Sequence, residues 1–310
     1  MGSLGMDQAN QAPKIDAPLT PVERIAVRFA ELANDSPRGK WLQTRFLRAI
    51  SYTWVRAGLA NRMFVEGIDE TCKLHPDRGV LMVSNHRSFF DQYAMLLACY
   101  MGRVPWAKHL FFPVRSNFFY DQPLGIFVNA AVAGGAMYPP IYRQTERRAL
   151  NDEALDKMVD ILQTPGNVLG MHPEGTRGKG PDPFQFLPAQ PGVGKVALLG
   201  KPVVIPVFIL GLGNSIVQDI AWNFGREARA SHAVIAQFGT PIDYSDLLAE
   251  KPRPTLYKKT ADRFMAAIRT LSERHKQLRL ELRDGKIGDD DPRWLTNRGA
   301  SKFYAFEATP

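Results

Sequence analysis

The sequence predicts an α/β fold: a single domain with a central, mostly parallel sheet flanked by helices, preceded by an N-terminal amphipathic helical segment. Three observations carry this. Between residues 61 and 245, short apolar runs of strand length alternate with segments of helical periodicity. Two of those runs, Val80 to Val83 and Val168 to Met171, lead directly into polar blocks, the arrangement of loops at the carboxyl ends of parallel strands. A chain of 310 residues with 45% hydrophobic content is large enough to bury the core such a sheet needs.

Taken in order, residues 1–18 are polar and contain proline, and are expected to be disordered. Residues 19–60 read as helical and basic. Trp41, Leu42, Phe46, Leu47, Ile50, Trp54 and Val55 recur at helical spacing among Arg45, Arg48 and Arg56, a pattern suited either to membrane contact or to packing on the domain behind it. The α/β domain is expected over 61–285. Its candidate strands are Val80 to Val83, Val104 to Ala107, Ala136 to Tyr142, Val168 to Met171, Val203 to Ile209 and Val234 to Phe238. Helices are expected at Ser88 to Tyr100 and Glu146 to Leu162. The stretch Leu124 to Tyr142 carries no charge, but Asn129, Gly134, Gly135, Pro139 and Pro140 would interrupt a membrane span, so it reads as a short helix, a turn and a buried strand. Residues 254–284 form one closing helix, with Leu256, Phe264, Ile268, Leu271, Leu278 and Leu282 as its stripe and Gly285 as C-cap. Residues 286–310, with the acidic run Asp289-Asp290-Asp291, are expected to form an exposed C-terminal extension.

A formal charge of +8 points to anionic partners: a membrane surface, phosphorylated or CoA-type substrates, or nucleic acid. There is no Lys/Arg block and no nucleic-acid-binding motif, so no nucleic-acid partner is expected. Two cysteines, Cys72 and Cys99, make no disulfide framework and read as reduced thiols of a cytoplasmic protein. The amino-terminal residues lack the layout of a signal peptide.

The chemistry concentrates after the two apolar runs. In Asn85-His86-Arg87-Ser88-Phe89-Phe90-Asp91, an aspartate on the first turn of a helix can reach back to the imidazole. A carboxylate on one ring nitrogen fixes the tautomer and leaves the other nitrogen to take a proton from a hydroxyl. By itself the block reads rather as a capping Ser88 beside a satisfied core histidine. His172-Pro173-Glu174-Gly175-Thr176-Arg177 adds a carboxylate, a flexible turn and a guanidinium able to clamp a phosphate bidentately. Its bland alternative is a surface ion pair.

Together these blocks resemble the signature of the glycerolipid acyltransferases, the family that includes 1-acylglycerol-3-phosphate acyltransferase. The resemblance covers roughly residues 79–210 and rests on four blocks in family order: Asn85-His86-x4-Asp91, Pro140-Ile141-Tyr142-Arg143, Pro173-Glu174-Gly175-Thr176-Arg177 and Val204-Ile205-Pro206-Val207. Lys108, after Trp106-Ala107, looks like the family's lysine of the following strand. Tyr142 stands where the family has an acid, and His172 where it has phenylalanine; both departures bear on the acceptor. The resemblance implies that His86 is the base and Asp91 its partner. It also implies that Arg143, Glu174, Gly175, Thr176, Arg177 and Lys108 bind substrate. No metal or cofactor is implied beyond acyl-CoA or acyl-ACP as co-substrate. A lysophospholipid is the acceptor and an anionic membrane surface the other partner, at the inner face of the cell membrane. The rivals are another lipid or metabolite hydroxyl, such as a lyso-aminolipid or glycolipid, and a non-catalytic lipid-binding protein on the same fold.

Other features read blandly. Gly192-Val193-Gly194-Lys195 lacks the first glycine and the Ser/Thr of a phosphate loop. His75, His109, His232 and His275 lack metal-ligand spacing. The aromatic cluster Phe111, Phe112, Phe118, Phe119 and Tyr120 around Arg115 reads as core, or as an acyl-chain entry.

Overall fold

Eight strands organise the computed structural model, which describes residues 18–142, 144–225, 227–229 and 231–298. They are β1 (Met63–Glu66), β2 (Val80–Ser84), β3 (His109–Phe111), β4 (Val114–Arg115), β5 (Pro140–Ile141), β6 (Asn167–Met171), β7 (Val203–Leu210) and β8 (Val234–Phe238). Six form one sheet in the order β1-β8-β7-β2-β6-β3, and β4 pairs with β5 beside it. Every pairing is parallel except β7 with β8. The α/β class and the mostly parallel sheet are therefore as the sequence predicts. Residues 1–17 and 299–310 and Arg143 lie outside the described residues, and so do the expectations placed on them.

β2 is buried along its whole length, as a strand covered on both faces must be, which is why its sequence is an unbroken apolar run. Two expected strands are not built as read. Val104 to Ala107 is a turn around Pro105, closed by Ala107 N–H on Val104 O at 3.2 Å, and the strand begins only at His109. Ala136 to Tyr142 contributes only Pro140–Ile141, because Pro139 and Pro140 bring no N–H to a ladder. β1 is a strand that periodicity missed, being only four residues long.

The helix Pro254–Arg283 closes the fold as expected. Gly285, at φ +69°, ends it: Lys286 N–H reaches Glu281 O at 2.8 Å, the left-handed termination that glycine permits. Glycine is required again at Gly194, where an added Cβ would stand 2.0 Å from Tyr257 O. The Gly-Val-Gly-Lys run is thus a close helix–helix contact.

The segment after Gly285 corrects an expectation. Residues 286–298 are docked on the sheet's edge. Trp294, 1% exposed, meets the Phe64 ring edge-on at 5.1 Å, and Val65 N–H bonds Arg293 O at 2.9 Å. β1 would otherwise present an open edge, and this segment covers it. At the other end, Ala26, Ala30, Leu47 and Val55 join the same core as β2 and β7. Residues 19–60 form three α-helices, Pro21–Asn34, Pro37–Phe46 and Tyr52–Leu59, with a π-helical turn at Leu47–Ser51.

Candidate active site

β2 and β6 are parallel neighbours, with Val83 opposite Met171. Three residues beyond that pair stand His86 on one loop and Glu174 on the other, so register alone sets the two blocks side by side. Asn85 first extends the ladder with its side chain: Nδ2 donates to Ile209 O at 2.7 Å and Oδ1 accepts from Ile209 N–H at 2.8 Å. That pins the end of β2 to β7 and aims the His86 loop.

Asp91 opens the helix Asp91–Met101, where the orphan amides and the helix dipole favour a negative charge. Its Oδ2 accepts from Arg87 N–H at 2.8 Å and Ser88 N–H at 2.9 Å, and lies 3.0 Å from His86 Nδ1. A carboxylate only accepts, so the imidazole carries its proton on Nδ1 and offers the Nε2 lone pair. Burial pushes the His86 pKa down from its ordinary 6.5 to about 3, and the charges of Arg177 and Arg115 push the same way. Burial pushes Asp91 up to about 6, opposed by His172, the two amides and Arg177. At neutral pH the pair is therefore a neutral imidazole on an ionised carboxylate.

The second loop braces the first. Glu174 is buried, and both its oxygens are spent on main chain: Oε1 accepts from His86 N–H at 3.0 Å and Oε2 from Leu187 N–H at 2.8 Å. Its carboxylate holds the His86 loop in place, which differs from the acceptor contact that the family resemblance implies. Gly175 takes φ +63°, and its carbonyl accepts from Arg115 Nη2 at 2.5 Å. Thr176 follows, half-buried. Arg177 donates from Nη1 to Asn214 Oδ1 at 2.7 Å and lies over the Phe89 ring, 3.4 Å from its centroid. Gly178 N–H closes back on His86 O at 2.9 Å.

His86, Asp91, Glu174, Gly175, Thr176 and Arg177 are thus brought together. Lys108 is not. It precedes β3 and bonds Gly166 O at 2.9 Å, level with the start of β6. His172 lies six residues further along, roughly 20 Å at strand rise. Lys108 is exposed at the opposite end of the sheet and is withdrawn as a substrate contact.

Three neighbours of the site were not singled out as functional. Arg115, at the end of β4, is the second cation acting on His86. Asn214 accepts both from Arg177 and from Phe89 N–H, at 3.3 Å, and no spacing signal marks it. His172 stacks on His86 with ring centroids 4.0 Å apart and 6° between planes. Its departure from the family block was the available signal. One ligand atom each from His86, Asp91 and His172 lie within 4.8 Å of one another. Imidazole lone pairs lie in the ring plane, however, and two stacked, parallel planes do not converge on one ion.

The aromatic cluster divides. Phe111, Phe112 and Tyr120 are buried in the core, while Phe118 is half-buried and stands 6.4 Å from Phe89 beside Arg177.

Residues 62–210 match the family model described as Acyltransferase. Among solved structures, the chain is similar to the 1-acyl-sn-glycerophosphate (LPA) acyltransferase PlsC from Thermotoga maritima. The two share 16% identity at a TM-score of 0.41, over 80% of this chain and 88% of that one. No curated protein matches the chain in sequence. The matched stretch runs from the start of β1 to the end of β7 and contains both loops around His86. Residues 62–210, just under half of the chain, are thus similar to the domain of the acyltransferase family.

Proposed function

We propose that this acyltransferase moves a fatty acyl group from the thioester of acyl-CoA or acyl-ACP to the hydroxyl of a lysophospholipid, with 1-acylglycerol-3-phosphate the leading acceptor. The observation that carries this is the 3.0 Å His86–Asp91 pair, which leaves Nε2 as a base at the strand-end loops of the matched domain. The acceptor oxygen attacks the thioester carbonyl as its proton passes to Nε2. A C–O bond forms, the C–S bond breaks, and the proton leaves with the sulfur. No side chain is acylated in this scheme. Ser88 Oγ is bonded to Gly213 O, and Cys99 lies against Met82 with its thiol pushed up by burial to about 12. No cofactor is required beyond the thioester. Arg177 and Arg115 flanking the base support an anionic acceptor.

The engagement of Arg177 with Asn214 and Phe89 favours a second reading, in which the acceptor hydroxyl belongs to a lipid without that phosphate, such as a lyso-aminolipid or glycolipid.

Among the described residues no helix is long and apolar enough to cross a membrane. The helix Pro21–Asn34 nonetheless turns its small residues Ala26 and Ala30 inward and leaves Val22, Ile25, Phe29 and Leu32 exposed, two of them to 71%. That inverted pattern, with Arg24 and Arg28 also exposed, supports a peripheral seat on the anionic inner face of the cell membrane.

The test is a screen of lysolipid acceptors with both donor types. Transfer to 1-acylglycerol-3-phosphate is expected, with turnover about a hundred- to ten-thousand-fold lower in His86→Ala. A folded His86→Ala enzyme with wild-type turnover would remove the mechanism. Transfer to non-phosphorylated acceptors alone would promote the second reading.

A further inference from the structure

His172 is the departure from the family block that lands against the base. Its Nδ1 lies 3.0 Å from Asn85 O and 3.2 Å from Ser84 O, two carbonyls that can only accept, so that nitrogen carries the proton. Ser84 Oγ stands 3.0 Å from the same nitrogen. Nε2 is buried, with no hydrogen-bond partner among the described residues. A polar ring with one buried nitrogen that no described group bonds is a costlier filling than an apolar ring of the same shape. What it gains is an anchor: the ring is tied to the main chain at the end of β2, the segment that delivers His86. Asp91 restrains the His86 ring through one hydrogen bond at Nδ1, which leaves it some freedom to tilt. The parallel face of His172, 4.0 Å away, removes that freedom.

We propose that His172 is a positioning residue for His86: its anchored ring clamps the imidazole of the base flat and turns Nε2 toward the acceptor hydroxyl. This rests on the reading of His86 as the base. A base misplaced by about an ångström loses on the order of a hundredfold in rate. His172→Ala is therefore expected to lower kcat by that order while the KM values for acceptor and donor stay within about twofold. His172→Phe keeps the flat face without the anchor and is expected to stay within several-fold of wild type.

The pH profile separates clamping from mere filling. The groups that face His86 are Asp91 on its helix, Glu174 and Arg177 on the second loop, Arg115 at the end of β4, and His172 itself. Only the last is changed. Removing its ring admits water to a base that burial keeps unprotonated, so the acidic limb of the kcat/KM profile should move to higher pH in His172→Ala and stay in place in His172→Phe. Ring 15N spectra of the substrate-free proteins should show the same rise in the His86 pKa, independent of any assumption about turnover.

A folded His172→Ala enzyme with wild-type kcat and an unmoved acidic limb would overturn the proposal. So would a His172→Phe enzyme as slow as His172→Ala, which would make the ring nitrogens, not the face, the working part. His86→Ala assayed alongside tells the two levels apart: inactive with a normal His172→Ala, only the clamp fails; fully active, the base assignment fails and the clamp with it.

Discussion

Arg177 shows how much a single side chain is arranged by its surroundings. Its guanidinium is flat against Phe89, and one nitrogen is bonded to the oxygen of Asn214 that also receives Phe89 N–H. The fork is thus ordered beside His86, with Nη1 already engaged by Asn214, so whether it reads a phosphate is a question for substitution. Lysine keeps the charge and loses both the fork and the stack. Arg177→Lys is expected to lower kcat/KM for a phosphate-bearing acceptor by the worth of a charged hydrogen bond, roughly 1.5–3 kcal/mol, with a much smaller effect on donor dependence. The check is the preference between that acceptor and its dephosphorylated analogue. An unchanged preference in the mutant would mean that Arg177 does not read the phosphate. Glu174 illustrates the opposite case: a carboxylate that reads as a ligand contact in the sequence is consumed by two backbone amides.

At the scale of elements, the helix Pro21–Asn34 has a pattern that runs against a soluble surface. Its capping box is regular, Thr20 with Glu23, and Glu23 also pairs with buried Arg147, so the helix is fixed to the domain while its large apolar residues face out. Ile25→Glu combined with Leu32→Glu is expected to weaken binding to anionic vesicles sharply. It should leave the melting temperature nearly unchanged, because both residues are 71% exposed. Binding by the wild type should fall as salt rises, since exposed arginines act through screened attraction. Undiminished sedimentation of the double variant with vesicles would assign the contact elsewhere. Deleting residues 1–56 would not be a fair test, because Leu47 and Val55 belong to the core. Within residues 41–56, the sequence stripe is split by the fold: Leu47 and Val55 go in, while Trp41, Leu42 and Ile50 stay out.

For the whole molecule, the buried imidazoles tie stability to pH. Burial holds His86, His172 and His275 down at about 3, and His109 at about 4. In the unfolded chain each would titrate near 6.5. As pH falls below that value the unfolded state gains protons that the folded state refuses, and stability is lost, by about 1.4 kcal/mol per pH unit for a fully buried ring. Asp91 and Asp121 act in the other direction, since burial holds both up at about 6 and they take protons in the folded state first. Four histidines beginning at the higher pH outweigh two aspartates. The melting temperature is therefore expected to fall between pH 7 and pH 5. A flat profile over that range would show that the imidazoles are not held neutral by burial.

The sequence by itself determined the α/β class, four of the sheet strands, the closing helix with its Gly285 terminus, and the two polar blocks after β2 and β6. These are legible because each depends on neighbours within a few positions: apolar runs for buried parallel strands, helical stripes, a glycine where φ must be positive. Tertiary structure alone decided which strands lie side by side, and hence that His86 and Glu174, 88 positions apart, share a hydrogen bond. It also decided that Lys108 falls at the end of β3 away from His86, that residues 286–298 cover an edge strand, and that His172 stacks on His86. Strand order, register and the end of the sheet a loop reaches are set by pairings between distant segments, and a local pattern carries no record of its partner.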